Sequence, residues 1–89
     1  MKTILLVDDD ESIQLLYQEE FKEAGYKVVS VYDGSEAIEA FKNTAPDLVI
    51  LDVLMPKQSG IRLYRELKTN KAFQDIRVIV LSGIAKKTF

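Results

Sequence analysis

The sequence has 89 residues, of which 47% are hydrophobic and 29% charged, with 4 Gly and 2 Pro. This is the size and composition of one small globular domain rather than of a disordered or fibrous chain. Because the sequence contains no Cys and no His, a disulfide, a thiolate metal site and a Ser-His-Asp triad are all excluded. No apolar run approaches the roughly 18 residues of a membrane helix, and nothing after Met1 resembles a signal peptide, so the expected location is cytoplasmic.

Charge is divided unevenly along the chain. The formal net charge is −2, but residues 1–56 contain 4 basic and 12 acidic side chains (−8), whereas residues 57–89 contain 8 basic and 2 acidic ones (+6). The cations of the second part are scattered along a predicted helix and tail. That distribution is typical of a solvated surface, so no nucleic-acid interface is predicted.

The first predicted strand is the run TILLV (3–7), which is apolar without alternation, as in strands covered on both faces. A helix follows, with Gly25 at its expected C-terminal cap. The apolar residues at helical spacing in it are Ile13, Leu16, Tyr17, Phe21 and Ala24. The next run, KVVSVY (27–32), alternates more and predicts a strand nearer an edge of the sheet.

The second helix is predicted to begin at Asp33, because Asp33 and Glu36 have the spacing of a capping box, and to end at Pro46. Its predicted buried stripe comprises Ala37, Ile38, Phe41 and Ala45. The runs LVIL (48–51) and VIVL (78–81) predict two further strands covered on both faces. Between them a third helix is predicted to begin near Ser59-Gly60 and to run through Ile61, Leu63, Tyr64 and Leu67.

This alternation predicts a parallel α/β sheet with helices on both faces. Ligands of such sheets bind beyond the carboxyl ends of the strands. Asp8 and Asp9 follow the first strand, Asp52 ends the third, and Ser82 ends the fourth. These side chains are therefore expected at one edge of the sheet.

Two or three carboxylates that converge repel one another, and a divalent cation would neutralise them. Oxygen ligands without an encircling loop favour Mg²⁺, and a carboxylate beside it can attack phosphorus. Alternatively, acids at a helix start cap free backbone amides. That role is predicted for Asp10 and Glu11, and it stays open for Asp8 and Asp9.

Other phosphate chemistries lack their motifs. No strand is followed by G-x-x-x-x-G-K-[ST] or G-x-G-x-x-G, so a nucleotide-binding domain is disfavoured. A phosphatase of the haloacid dehalogenase type would have a second acid two residues after its nucleophile, where this sequence has Leu54.

Taken together, three stretches resemble the receiver domain of two-component response regulators. They are ILLVDDDESI (4–13), DVLMPKQSG (52–60) and VIVLSG (78–83). Asp52 follows the acidic pair by 44 and 43 positions, and Pro56, Gly60 and Ser82 follow Asp52 by 4, 8 and 30 positions. The resemblance implies a single receiver domain over residues 1–89, of flavodoxin-like (CheY-like) topology with strand order 2-1-3-4.

The resemblance also implies a role for each matched residue. Asp52 would accept a phosphoryl group from the phosphohistidine of a sensor histidine kinase or phosphotransfer domain, and it would lie at the exposed end of its strand. Asp8 and Asp9 would hold Mg²⁺ together with Asp52 and the backbone carbonyl of Leu54, Asp9 being favoured as a direct ligand. The hydroxyl of Ser82 would contact the phosphoryl group. No enzyme activity is implied beyond self-phosphorylation and autodephosphorylation.

The sequence departs from the receiver pattern after Ser82. Receivers continue with a further helix, a strand bearing a Lys that contacts the phosphoryl group, and a last helix, whereas this chain ends GIAKKTF. We therefore expect a C-terminally incomplete receiver, truncated or engineered, whose apolar fourth-strand edge is covered by homo-oligomer formation. The alternative function is that of a structural or assembly module without signalling competence.

Overall fold

The computed structural model describes residues 1–52 and 60–81, with the backbone alone at Gly60, Ile61 and Leu81. Four strands and three helices alternate along these residues. They are β1 (Thr3–Val7), α1 (Glu11–Glu23), β2 (Lys27–Val31), α2 (Gly34–Thr44), β3 (Leu48–Asp52), α3 (Gly60–Thr69) and β4 (Arg77–Leu81). The predicted order of elements is confirmed. Within these ranges no helix is both long enough and apolar enough to cross a membrane.

The strands form one parallel sheet with the order β2-β1-β3-β4. Val7 at the end of β1 lies between Val31 of β2 and Leu51 of β3. β3 in turn pairs with β4, so that Asp52 is opposite Leu81. The predicted strand order 2-1-3-4 and the flavodoxin-like topology are therefore confirmed, and the carboxyl ends of β1 and β3 lie side by side.

The larger core lies between the sheet and the helices α2 and α3. Its buried members are Leu5, Val7, Val31, Ala37, Phe41, Val49, Leu51, Leu63 and Leu67. Phe41 of α2 also packs on Phe73 of the segment before β4, with ring centroids 4.4 Å apart. Burying this much apolar surface is the main term that stabilises the fold. We call this side of the sheet the α2/α3 face.

On the opposite side, which we call the α1 face, the core is smaller. Among the described residues, Ile4, Leu6 and Ile50 are its buried members, with Tyr17 and Phe21 of α1 packed partly against them. The apolar repeat correctly predicts α1, but Leu16 is 53% exposed and Leu15 is 59% exposed. The fully buried side chain of α1 is instead the polar Gln14.

Helix ends follow the signals in the sequence. Asp10 caps α1 by accepting hydrogen bonds from the amides of Ser12 and Ile13, and Asp33 caps α2 by accepting one from Ser35. Both caps satisfy backbone donors that have no partner inside the helix. The predicted helix-start role of Asp10 is thereby confirmed.

Gly25 ends α1 with a φ of 96°, in the left-handed region that favours glycine. Its amide donates to the carbonyl of Lys22, and the amide of Tyr26 donates to that of Phe21. This pair of bonds is a Schellman motif, and the rings of Phe21 and Tyr26 add its usual apolar contact, with centroids 6.4 Å apart.

β4 departs from its prediction as a strand covered on both faces. Ile79 is 49% exposed and Val80 is 44% exposed. The reason is that β4 is the outer strand of the described sheet and pairs there with β3 alone. The prediction that β2 lies at an edge is confirmed, with Lys27 exposed and Val28 to Ser30 half-buried.

Candidate functional site

Three carboxylates meet at the carboxyl ends of the two central strands. Asp8 and Asp9 follow β1, and Asp52 is the last residue of β3. One carboxylate oxygen from each lies within 4.8 Å of the others. Because β1 and β3 are parallel neighbours in register, their ends bring together residues that are more than forty positions apart in the sequence.

The three acids differ in burial. Asp8 is 0% exposed and Asp52 is 1% exposed, whereas Asp9 is exposed. The expectation that Asp52 lies at an exposed strand end is therefore wrong. Asp52 ends a strand that lies between β1 and β4, and its carboxylate lies beside those of Asp8 and Asp9. The cluster meets solvent at Asp9.

The backbone around Asp8 is fixed by hydrogen bonds. The amide of Asp8 donates to the carbonyl of Val31 at 3.0 Å, which ties it to the end of β2. The amide of Asp10 donates to Oδ1 of Asp8 at 2.9 Å, which orients that carboxylate. The acidic run 8–11 is thus divided: Asp10 caps α1, while Asp8 and Asp9 turn toward Asp52.

One buried polar residue beside the site was not predicted from the sequence. Gln14 of α1 is 0% exposed, and its Nε2 donates to the carbonyls of Leu6, Asp8 and Val31 at 3.1, 3.0 and 2.9 Å. No signal in the sequence marks it, because a Gln within an amphipathic helix is normally a surface residue.

The donor set fits a hard divalent cation. Three carboxylates with no imidazole or thiolate are typical of Mg²⁺, Ca²⁺ or Mn²⁺, and a site with so few protein ligands leaves room for the waters that Mg²⁺ retains. Two buried like charges this close repel strongly in a medium of low dielectric constant, and a bound cation would offset that repulsion. Asp8, Asp9 and Asp52 could therefore hold a metal ion together.

The remaining predicted site residues lie outside the described residues: Leu54, Pro56 and Ser82. Gly60 is the first residue of α3, as predicted.

A cavity of about 500 Å³ lies at the opposite, amino-terminal edge of the sheet, between β1, β3 and β4. Asp47, an acid of its described lining, accepts a hydrogen bond from the amide of Thr3 at 2.8 Å. This contact ties the start of β3 to that of β1. The described lining of the cavity shares no residue with the acid cluster, so Asp47 can serve as a control carboxylate for substitutions in the cluster.

A family model, curated relatives and solved structures all relate this chain to response regulators. The family model described as response regulator receiver domain matches residues 4–89. The alkaline phosphatase synthesis transcriptional regulatory protein PhoP of Bacillus subtilis is 43% identical over 70 residues, which are 79% of this chain and 29% of PhoP. The chain spans about a third of the length of the curated relatives it matches, from 29% to 38%.

Solved structures agree in fold. The response regulator TrrA of Thermotoga maritima, crystallised in complex with Mg²⁺-BeF, is 40% identical and superposes with a TM-score of 0.85 over 93% of this chain and 70% of TrrA. In a complex of TrrA with the histidine kinase ThkA, the match has a TM-score of 0.83 at 40% identity, over 92% of this chain and 69% of the matched one. The family match covers nearly the whole chain, including all three clustered acids, and the chain belongs to the response regulator receiver domain family.

Proposed function

We propose that this chain accepts a phosphoryl group on Asp52 with the help of Mg²⁺ held by Asp8, Asp9 and Asp52. The observation that carries the proposal is the convergence of the three carboxylate oxygens within 4.8 Å. It is supported by TrrA, whose structure contains Mg²⁺-BeF. The proposed unit is a receiver domain over residues 1–89, in a cytoplasmic protein with no enzyme activity on other substrates.

In the proposed reaction, a carboxylate oxygen of Asp52 attacks phosphorus and forms the new O–P bond. The bond between phosphorus and the donor breaks, and the leaving group departs with the electron pair and takes up a proton from solvent. When bound, Mg²⁺ supplies positive charge to the phosphoryl oxygens. Asp8 and Asp9 hold that charge beside Asp52, and burial of Asp8 and Asp52 keeps the field undiluted by water.

Two further contacts belong to the proposal by position in the family pattern. The backbone carbonyl of Leu54 would be an additional Mg²⁺ ligand, and the hydroxyl of Ser82 would donate to a phosphoryl oxygen. The donor would be a sensor histidine kinase or a phosphotransfer domain, in keeping with the complex of TrrA with the kinase ThkA.

The direct test is incubation with Mg²⁺ and acetyl phosphate, followed by intact-mass measurement and peptide mapping. We expect one added phosphoryl group on wild type, located at Asp52 and lost when EDTA replaces Mg²⁺. Asp52→Asn should take up none. The matched control is Asp47→Asn, which removes a carboxylate at the opposite edge and should be labelled as wild type is. Absence of label on wild type, or label of equal extent on Asp52→Asn, would contradict the proposal.

A second candidate function, assembly of copies of this chain, is favoured by the outer strand β4. Its Ile79 and Val80 are half-exposed, and an apolar outer strand is a template for pairing with another chain. We propose homo-oligomer formation through this strand. Sedimentation velocity over micromolar concentrations would show mass increasing with concentration for wild type and not for Ile79→Lys. A wild type that stays monomeric would defeat this candidate and leave phosphoryl acceptance untouched.

A further inference from the structure

We propose that Gln14 is a positioning residue for the acid cluster: its carboxamide fixes the backbone that carries Asp8 and so aims that carboxylate at Asp52. The inference rests on the proposed function in that the cluster binds Mg²⁺. It concerns a residue that touches none of the three carboxylates in the contacts described, and acts on them through main-chain carbonyls.

Gln14 joins three separate backbone positions at the carboxyl edge of the sheet. Its Nε2 contacts the carbonyls of Leu6 and Asp8, on either side of the end of β1, and the carbonyl of Val31 at the end of β2. The Val31 carbonyl also accepts the amide of Asp8. Both backbone polar groups of Asp8 are therefore bonded, and the direction of its side chain follows from a backbone that has little freedom left.

The chemistry of the carboxamide explains why a Gln suits this position. Three carbonyl oxygens face one nitrogen, and only the NH₂ end of the group can satisfy them, with its two hydrogens shared among three acceptors. The orientation of the amide is thus determined by its surroundings. Oε1 of Gln14 is buried and accepts no hydrogen bond within the described part of the chain. A buried acceptor left in this way is unfavourable, and the three bonds of Nε2 are what offsets it.

Gln18 provides a matched comparison on the same helix. It lies one turn after Gln14, and its Nε2 also bonds α1 to β2, through the hydroxyl of Ser30. This second carboxamide is only partly buried and contacts no residue of the 8–10 segment in the bonds described. If Gln14 did no more than fasten α1 to the sheet, removing either carboxamide would have the same consequences for the acids.

The test compares Gln14→Met with Gln18→Met, since Met keeps the length of Gln and removes its donors. Mg²⁺ affinity is measured by calorimetric titration, and exchange of the Asp10 amide by NMR, because that amide is bonded to Oδ1 of Asp8. We expect Gln14→Met to weaken Mg²⁺ binding about tenfold, in the range typical of residues that orient metal ligands, and to speed exchange of the Asp10 amide. Gln18→Met should leave both unchanged.

Equal weakening by the two substitutions, or unchanged Mg²⁺ affinity in Gln14→Met, would overturn the proposal. If Gln14→Met does not fold, wild type answers the question. Its Gln14 carboxamide protons should be protected from solvent exchange and should shift with Mg²⁺, those of Gln18 should not shift, and any other pattern counts against positioning. If wild type binds no Mg²⁺, the proposed function fails, but the Asp10 amide still decides: faster exchange in Gln14→Met alone supports positioning, and equal exchange refutes it.

Discussion

The two faces of the sheet are used differently. In the part of the chain that the structure describes, the core on the α2/α3 face has nine buried apolar residues, whereas that on the α1 face has three. Side chains alternate along a strand, so Asp52 lies on the same face as Ile50, which is the α1 face. The only fully buried side chain of α1 is Gln14, which bonds the backbone beside the acids. The fold is therefore stabilised mainly by the core on the α2/α3 face, while the three clustered acids lie at the carboxyl end of the α1 face.

The largest expected effect is on stability, from truncating one aromatic residue on each face. Phe41→Ala should cost about 3–5 kcal/mol, because Phe41 is 1% exposed and packs on Phe73. This is a large share of the free energy of unfolding of a typical domain, which is roughly 5–15 kcal/mol. Phe21→Ala, on the α1 face and only half-buried, should cost about 1–2 kcal/mol. Urea unfolding measures both, and equal losses would show that the faces contribute alike.

The second largest expected effect is the stabilisation of the fold by Mg²⁺ bound at the acid cluster. A cation that binds only the folded chain stabilises it, by about 2.7 kcal/mol in the free energy of unfolding at a Mg²⁺ concentration 100 times its Kd. The midpoint of thermal unfolding should therefore rise when Mg²⁺ is added. Asp8→Asn should lose this increase, because Asp8 is a buried member of the cluster. Phe41→Ala, if it stays folded, should keep it. Scanning calorimetry with Mg²⁺ and with EDTA checks this, and an unchanged Mg²⁺ effect in Asp8→Asn would place the cation elsewhere.

Without metal, a smaller effect is expected, in which a substitution in the acid cluster stabilises the fold. Asp52→Asn removes one of three crowded negative charges, so in EDTA it should raise stability by about 1 kcal/mol, as removing a functional repulsion commonly does. The same substitution should be destabilising relative to wild type when Mg²⁺ is saturating. Urea unfolding in the two buffers measures the crossover, and a loss of stability in both buffers would mean that the carboxylates do not repel.

The smallest effects come from the helix ends on the two faces. Gly25→Ala at the end of α1 should cost about 1 kcal/mol, for the left-handed backbone alone, because the added Cβ has no atom within 4 Å. Ala45 at the end of α2 is itself left-handed, with φ 44°, so Ala45→Gly should stabilise by a few tenths of a kcal/mol. Thermal midpoints that move in the same direction for both substitutions would contradict this comparison.

Much of the fold could be predicted because it depends on local signals. The helix ends depend on single residues: the carboxylates of Asp10 and Asp33 cap α1 and α2, and Gly25 adopts a left-handed backbone because it has no side chain. The apolar runs of β1 and β3 reflect burial on both faces of the sheet. The acid cluster was also predictable, since parallel strands share a carboxyl edge whatever their spacing in the sequence.

What could not be predicted depends on which surface a side chain meets in three dimensions. Leu15 and Leu16 look like core residues and are exposed, while Gln14 looks like a surface residue and is buried. Gln14, Tyr17, Gln18 and Phe21 recur at helical spacing on the side of α1 that faces the sheet, and Leu15 and Leu16 lie outside that stripe. Gln14 is the member beside the strand ends, where the carbonyls of Leu6 and Val31 accept from it. Asp52 is likewise buried in the fold, beside Asp8 and Asp9, which lie more than forty positions away in the sequence.

Mn²⁺ broadening of NMR signals tests most directly whether Asp8, Asp9 and Asp52 bind one divalent cation together. Mn²⁺ takes the same oxygen ligands as Mg²⁺, and its unpaired electrons broaden nearby amide signals. Substoichiometric Mn²⁺ should erase the amides of Asp8, Asp9 and Asp52 first and spare those of Thr3 and Asp47 at the opposite edge, with Mg²⁺ restoring the lost signals. Broadening centred on Asp47 or on the glutamates of α1, with the Asp8 and Asp52 amides unaffected, would contradict the account.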